Sequence, residues 1–160
     1  MDSPLVEILC ESLRGKHSHV NPAKALQGLT HTTATQQMEG DAFNAYELLY
    51  HIVFWQDVTL SIARGDNIDW KEMEGKDWPS YDELEKAHWD ALRERFLSGL
   101  KEAEKLVGAL DLRLPMPTWN NEPVAKAFAV LATHNSYHLG QIVAARRMWG
   151  LWPPLDSNPE

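Results

Sequence analysis

Apolar residues recur at three- and four-residue intervals in four long segments of this chain, which cover about residues 4–15, 41–65, 80–110 and 121–150. This is the period of an α-helix with one buried face. No segment shows the sustained two-residue alternation of a strand, and glycine or proline marks most of the segment ends. Each amphipathic helix needs a partner for its apolar face, so the pattern predicts an all-α fold, a four-helix bundle.

The link between the second and third predicted helices, residues 66–80, is longer than bundle connections usually are. It is long enough to cross from one end of a bundle to the other, so we expect helices two and three to run parallel. The third helix opens with the capping-box pattern of Ser80 and Glu83. We expect it to continue to about residue 110, with any break near Gly99 or Gly108.

The composition suits a single domain, residues 1–160, with a polar tail at about 155–160. The net charge of −8, from 23 acidic and 15 basic residues, argues against a nucleic-acid partner, because phosphate binding needs a concentrated basic patch. No stretch reaches the ~18 apolar residues of a membrane span, and the N-terminus lacks the basic and apolar regions of a signal peptide. We therefore expect a cytoplasmic protein that binds neither nucleic acid nor membrane.

The fourth helix carries two histidines on its apolar side. At about 100° per residue, polar positions such as Lys126, Tyr137 and Arg147 cluster on one side of the helix, and His134 and His138 fall among the apolar residues opposite. The two imidazoles lie one turn apart and can reach the same ion. This spacing also occurs by chance, and a single core histidine is more often a packing residue than a ligand.

A third histidine, His51, lies in an apolar stripe of helix two that also holds Trp55. If helices two and four are antiparallel, His51 stands at about the level of His138. Burial of an unpartnered imidazole costs on the order of 2 kcal/mol, and a shared metal removes that cost because neutral imidazole is a good ligand. The pattern predicts one divalent ion, zinc, nickel, iron or copper, held by His51, His134 and His138.

Other metal motifs are absent from the chain. Asn135 occupies the position at which the HExxH protease motif has its glutamate, and Glu47 precedes His51 by four residues, whereas di-iron bundles need three. A mononuclear site follows. The sequence identifies no general base, and Glu47 and His88 are no more than candidates for one.

The remaining histidines receive separate interpretations. His88 shares an apolar stripe with residues of helix three, so we expect it to face inward as a fourth ligand or pocket acid, or to pack at the rim. Trp55, one turn after His51, is expected to line the site. His17, His19 and His31 lie in polar connections and are expected to be solvated.

Two segments together resemble the DinB/YfiT-like superfamily: AYELLYHIVFWQ, residues 45–56, and THNSYHLGQI, residues 133–142. The resemblance implies a four-helix bundle of up-down-down-up order and a homodimer. It also implies that His51, His134 and His138 bind a divalent metal, zinc or nickel. Gln141, in the second segment, is a further candidate for the pocket or a fourth ligand.

Three protein ligands leave a fourth position for water or substrate. Some members of the superfamily are thiol S-transferases and others are metal-dependent hydrolases, so the resemblance implies a small-molecule substrate or thiol cofactor that the metal activates. Two alternatives remain. One is a non-catalytic bundle that binds metal or ligand in a stress response; the other is a metal-free helical dimer whose histidines only pack. An open position facing a pocket favours the enzyme, and a fourth protein ligand favours the binding protein.

Overall fold

The computed structural model describes residues 4–37, 43–86 and 88–155, and these are mostly helical. The predicted all-α class is confirmed. The polar tail from residue 156 and Asp41, one of two predicted starts of the second long helix, lie outside the described residues. The helices are α1 (Pro4–Leu13), α2 (Pro22–Leu26), α3 (His31–Ala34), α4 (Ala45–Arg64), α5 (Trp70–Met73), α6 (Tyr81–Glu85), α7 (Trp89–Ala109) and α8 (Val124–Met148).

A short irregular segment joins α7 to α8. It contains β1 (Pro115–Met116), a 3-10 turn (Pro117–Trp119) and β2 (Glu122–Pro123), and the two strands pair in antiparallel fashion. Pro123 is the residue before the first turn of α8 and has extended backbone angles. The helix therefore begins slightly later than the sequence predicts.

Reciprocal hydrogen bonds set the start of α4. The Asn44 side chain accepts from the Glu47 backbone amide at 3.0 Å, and the Glu47 carboxylate accepts from the Asn44 amide at 2.8 Å. Such a capping box satisfies two amides that the first helical turn leaves free. The helix ends at Gly65, whose φ of 92° lies in the left-handed region that glycine adopts without strain. Both ends of α4, the helix that carries His51, are thus determined locally.

The third predicted helix is two helices rather than one. Ser80 and Glu83 form the predicted capping box, but α6 ends at Glu85 and α7 starts at Trp89. The prediction of a break near Gly99 or Gly108 is wrong, since both lie inside α7. The break occurs where no glycine or proline marks it.

Packing at the break explains its position. His88 has extended backbone angles (φ −122°, ψ 91°) at the start of α7, and its backbone hydrogen-bonds the hydroxyl of Tyr46 on α4. The next side chain, Trp89, is 2% exposed. The break between α6 and α7 thus places the large apolar side chain of Trp89 in the core, and the burial of this side chain stabilises the break.

The relative directions of the long helices follow from their contacts. Ion pairs join Asp57 to Arg95 and Arg64 to Glu102, so residue numbers rise together along α4 and α7 and the two helices run parallel, as predicted. Along α4 and α8 the numbers run in opposite senses, because His51 lies beside His138, whereas Ile62 and Val130 line one cavity nearer the other end. In the described ranges, α1 packs on α7 and α8, and α4 packs on the same two helices.

None of the described helices is both long and apolar enough to cross a bilayer.

A close helix contact at Gly99 yields a stability prediction. A Cβ atom at this position would overlap the side-chain amide of Gln56, which is fully buried and donates to the Phe96 carbonyl at 3.3 Å. We expect Gly99→Ala to lower the free energy of unfolding by about 1–3 kcal/mol, because a buried side chain without free volume has to move. Urea unfolding followed by circular dichroism measures the change.

The matched control is Gly108→Ala on the same helix. A Cβ at residue 108 meets nothing within 4 Å, so the higher helix propensity of alanine should raise stability by about 0.5–1 kcal/mol. Equal effects of the two substitutions would contradict the proposed role of the Gln56 contact.

Candidate metal centre

Three histidines from two helices converge on one point. His51 belongs to α4, and His134 and His138 belong to α8. Each offers a nitrogen, and the three nitrogens lie within 4.8 Å of one another. The ring centroids are 4.6–5.0 Å apart. The predicted meeting of these side chains is thus observed, and it follows from the one-turn spacing on α8 and the antiparallel arrangement of α4.

His51 is held from the side that faces away from the cluster. Its Nδ1 donates to the backbone carbonyl of Asp77 at 2.9 Å, and a carboxylate oxygen of Asp77 lies 3.5 Å from the same nitrogen. The ring stacks on Trp78 at 4.2 Å, and Trp78 stacks on Phe43 at 3.8 Å. A proton on Nδ1 leaves the lone pair of Nε2 free for a metal.

His138 is oriented in a similar way. Its Nδ1 lies 2.7 Å from the side-chain oxygen of Gln141, one turn further along α8. Since an amide oxygen only accepts, Nδ1 carries the proton and Nε2 carries the lone pair. Gln141, a candidate from the sequence for the pocket or a fourth ligand, therefore contacts the outer edge of a predicted ligand.

His134 differs from the other two histidines in its hydrogen bonding. Its Nδ1 is buried and has no hydrogen-bond partner among the described residues. Burial, with smaller contributions from His138 and His51, lowers the pKa of His134 to about 4. Burial also lowers the pKa of His138. Uncharged imidazoles and an unpartnered buried nitrogen are the chemistry that suits a divalent ion, so these residues fit the metal that the sequence predicts.

The group contains three members in the part of the chain that the structure describes. No cysteine, carboxylate or further histidine of those residues joins it. The prediction that His88 faces inward is wrong, because the break before α7 takes it off the helical stripe and leaves it exposed. Glu47, a candidate base, uses its carboxylate to cap α4.

The other histidines were interpreted as solvated, and this is correct for two of them. His17 and His31 are exposed. His19 is partly buried: one ring nitrogen lies 2.7 Å from the Ser136 hydroxyl and the other 2.8 Å from the Val20 carbonyl. It therefore links the segment after α1 to α8.

An apolar cavity of about 310 Å³ adjoins the cluster at His134. Trp55 lines it. Trp70 from α5 and Trp119 from the 3-10 turn form two further walls. The indole nitrogen of Trp70 donates to the Thr118 carbonyl at 3.0 Å and so joins the two irregular segments.

The site residues that sequence reasoning missed lie outside the long helices. Asp77 and Trp78 hold His51, and Trp70 and Trp119 form cavity walls. A backbone carbonyl leaves no trace in a sequence. The available signal was the presence of tryptophans in otherwise polar connections, because such large apolar side chains need something to cover.

Taken together, the structure is that of a helical protein with a partly buried three-histidine cluster beside an apolar cavity. Residues 21–142 match the family model of the DinB superfamily. The match covers most of the chain, which therefore belongs to the DinB superfamily, in agreement with the resemblance of its two histidine segments. No curated protein matches the chain significantly.

The lowered pKa of His134 predicts how the metal-free protein responds to acid. Its ordinary pKa is 6.5, whereas the folded-state pKa is about 4. Between these values the unfolded chain binds more protons, so stability should fall as the pH is lowered from about 6.5 toward about 4. Urea unfolding in the presence of a chelator, at several pH values, measures the slope.

The comparison is with His134→Gln, which removes this titration. Its stability should depend less steeply on pH over the same range. Identical slopes for the two proteins would show that burial of residue 134 has no influence on acid stability.

Proposed function

We propose that this chain is a metal-dependent enzyme acting on small molecules, in which His51, His134 and His138 hold one divalent ion, zinc or nickel. The reaction is thiol S-transfer or, as a second form of the same chemistry, hydrolysis. One observation carries the proposal: the three imidazoles converge beside a cavity, and no fourth protein ligand joins them in the described residues. Three ligands and an accessible position are typical of catalytic metal sites.

The chain's own residues prepare the ligands. The Asp77 carbonyl and the Gln141 side chain keep the Nδ1 protons of His51 and His138 in place. The stack of Trp78 on His51 restricts rotation of the ring and excludes water from one of its faces. An ion at this point supplies Lewis acidity, which lowers the pKa of a bound thiol or water toward neutrality.

A thiol fits the site better than water does. The ordinary pKa of a thiol, about 8.5, needs only a modest reduction to give a thiolate at neutral pH. Attack by water is commonly assisted by a general base. Asp77 has a carboxylate oxygen 3.5 Å from Nδ1 of His51, on the side that faces away from the cluster, and no described carboxylate joins the three nitrogens that converge. Glu47 is engaged at the start of its helix. These contacts favour the transferase over the hydrolase.

The proposal includes an architecture. We propose that α1, α4, α7 and α8 form a four-helix bundle of up-down-down-up order within one domain, residues 1–160. The parallel ion pairs between α4 and α7 and the antiparallel contact between α4 and α8 support this order. A homodimer in the cytoplasm, with no nucleic-acid or membrane partner, completes the proposal and rests on the family resemblance and the acidic composition.

The first test is metal content together with turnover. Protein purified without a histidine tag or nickel column should contain about one equivalent of zinc or nickel, and His138→Ala should lose it because two imidazoles bind too weakly. His31→Ala, which changes an exposed histidine outside the cluster, is the matched control. Elemental analysis measures the metal, and thiol consumption with an aryl halide measures activity.

The outcomes separate the alternatives. Metal that is lost only from His138→Ala, with turnover that is lost in parallel, supports the enzyme. Metal without turnover of thiols or esters supports a non-catalytic binding protein. Absence of metal, with no uptake of added zinc or nickel, would leave a helical protein whose histidines only pack.

Gln141 provides a second test of how the ligands are positioned. Gln141→Leu removes the acceptor for His138 Nδ1, and loss of such an outer contact typically weakens metal binding by about 10–100-fold. Gln141→Glu keeps an acceptor and should retain affinity near that of the wild type. Competition with a chromophoric chelator measures both, and equal affinities for Gln141→Leu and the wild type would contradict this role.

A further inference from the structure

The geometry points to a neutral, planar aromatic group of about two fused rings as the part of the substrate that the cavity beside His134 holds. This inference rests on the proposed function, because it names the class of substrate that the proposed enzyme would take. The binding itself is independent of turnover and can be measured separately.

The walls of the cavity select for an aromatic occupant. Three indole side chains line it, Trp55, Trp70 and Trp119, each from a different element. Flat rings pack on indoles in offset or edge-to-face arrangements that an aliphatic group of the same size cannot reproduce. Convergence of three such walls on one small space is the observation that favours a planar ring over an alkyl chain.

The remaining lining selects for a neutral occupant. Aliphatic side chains, among them Val58, Ile62 and Leu131, complete the walls. The polar members are Thr59 and His134, and the Thr59 hydroxyl already donates to the Trp55 carbonyl at 2.7 Å. Among the residues that the structure describes, no Lys, Arg, Asp or Glu side chain lines the cavity, so a charged ring substituent placed inside it would lack a partner and would lose hydration.

A neighbouring groove has the opposite character. It shares Trp55 and Trp70 with the cavity, but its other lining includes Lys71, Glu74 and Asp77. A polar or charged substituent therefore has room beyond the two shared indoles, outside the apolar space. The substrate class is a neutral aromatic core with any charge placed away from His134.

The volume sets the size of the ring system. The cavity encloses about 310 Å³, at the lower end of the ~300–1,000 Å³ of small-molecule sites. An apolar cavity of about 150 Å³ accommodates one benzene ring. Twice that volume suits two fused rings, and a larger polycyclic group would not fit without movement of the walls.

The walls are formed before a ligand arrives. The bond from Trp70 to the Thr118 carbonyl joins α5 to the 3-10 turn. After Trp119, two successive residues adopt left-handed angles, Asn120 at φ 50° and Asn121 at φ 57°, and they return the chain to β2. A preformed pocket lowers the conformational cost of binding, which favours measurable affinity for a small ring.

The test is isothermal titration of the purified full-length chain with 2-naphthol, with the metal content of each sample determined. We expect saturable binding at one site. Trp119→Ala should weaken it about tenfold because one indole wall is lost, whereas Trp149→Ala, outside the cavity lining, should leave it unchanged. Decalin-2-ol, a saturated analogue of the same size, should bind more weakly than 2-naphthol.

A second variant keeps the test decisive if Trp119→Ala does not fold. Val130→Trp changes a residue that is 45% exposed and lines the cavity, so it should fold and fill the space. It should abolish 2-naphthol binding without loss of metal. Circular dichroism checks the fold.

The outcomes distinguish this inference from the proposed function. Absence of 2-naphthol binding in a metal-loaded wild type would overturn the inference and leave the metal centre standing. Equal binding of decalin-2-ol would overturn the assignment of an aromatic group. Tight 2-naphthol binding that Val130→Trp abolishes, in a protein that takes up no metal, would support the pocket while the proposed enzyme fails.

Discussion

Three imidazoles occupy a space in which their nitrogens lie within 4.8 Å of one another, and much of the surrounding structure keeps them there. Two of them can share a face of α8 because they are one turn apart. The third reaches them only if α4 runs antiparallel to α8 in one register. The outer nitrogens of His51 and His138 then need partners, which the Asp77 carbonyl and Gln141 supply. The direction of the helices, their register and the path of the connection after α4 together bring the three imidazoles into contact.

The helical part of this arrangement could be predicted from the sequence, because in a helix the spacing of residues determines which face each side chain occupies. His51, His134 and His138 fell on apolar stripes, and stripes of this kind pack together. The prediction that His88 faces inward is wrong for a related reason, because it also assumed a helical backbone. His88 lies on an apolar stripe only if its backbone is helical. Its backbone is extended, directly before Trp89, so its side chain does not join that stripe. The conformation of His88 is decided by burial of the Trp89 indole and by a hydrogen bond that the His88 backbone makes to the Tyr46 hydroxyl oxygen, and both are contacts between distant parts of the chain.

The irregular segments could not be predicted in this way. Asp77 acts through its backbone, so its side chain says nothing about that role. The bond from Trp70 to Thr118 joins segments 48 residues apart, and neither segment has a period from which a facing side could be derived. Tryptophans in these connections were the visible sign of a covered surface. Their partners required the folded chain, because nothing in the local sequence specifies which long-range contact a loop makes.

The connection formed by residues 66–80 contributes to two sites. Its Asp77 holds His51, and its Trp70 forms a wall of the cavity. Sites that share a structural element are thermodynamically coupled when a ligand at one of them shifts that element. An occupant that prefers one position of this segment changes the affinity of the histidines for their ion by some factor, and the ion changes the affinity for that occupant by the same factor. In the proposed enzyme, loading of the ion and loading of the cavity ligand would therefore be reciprocal, and each component would raise or lower the occupancy of the other.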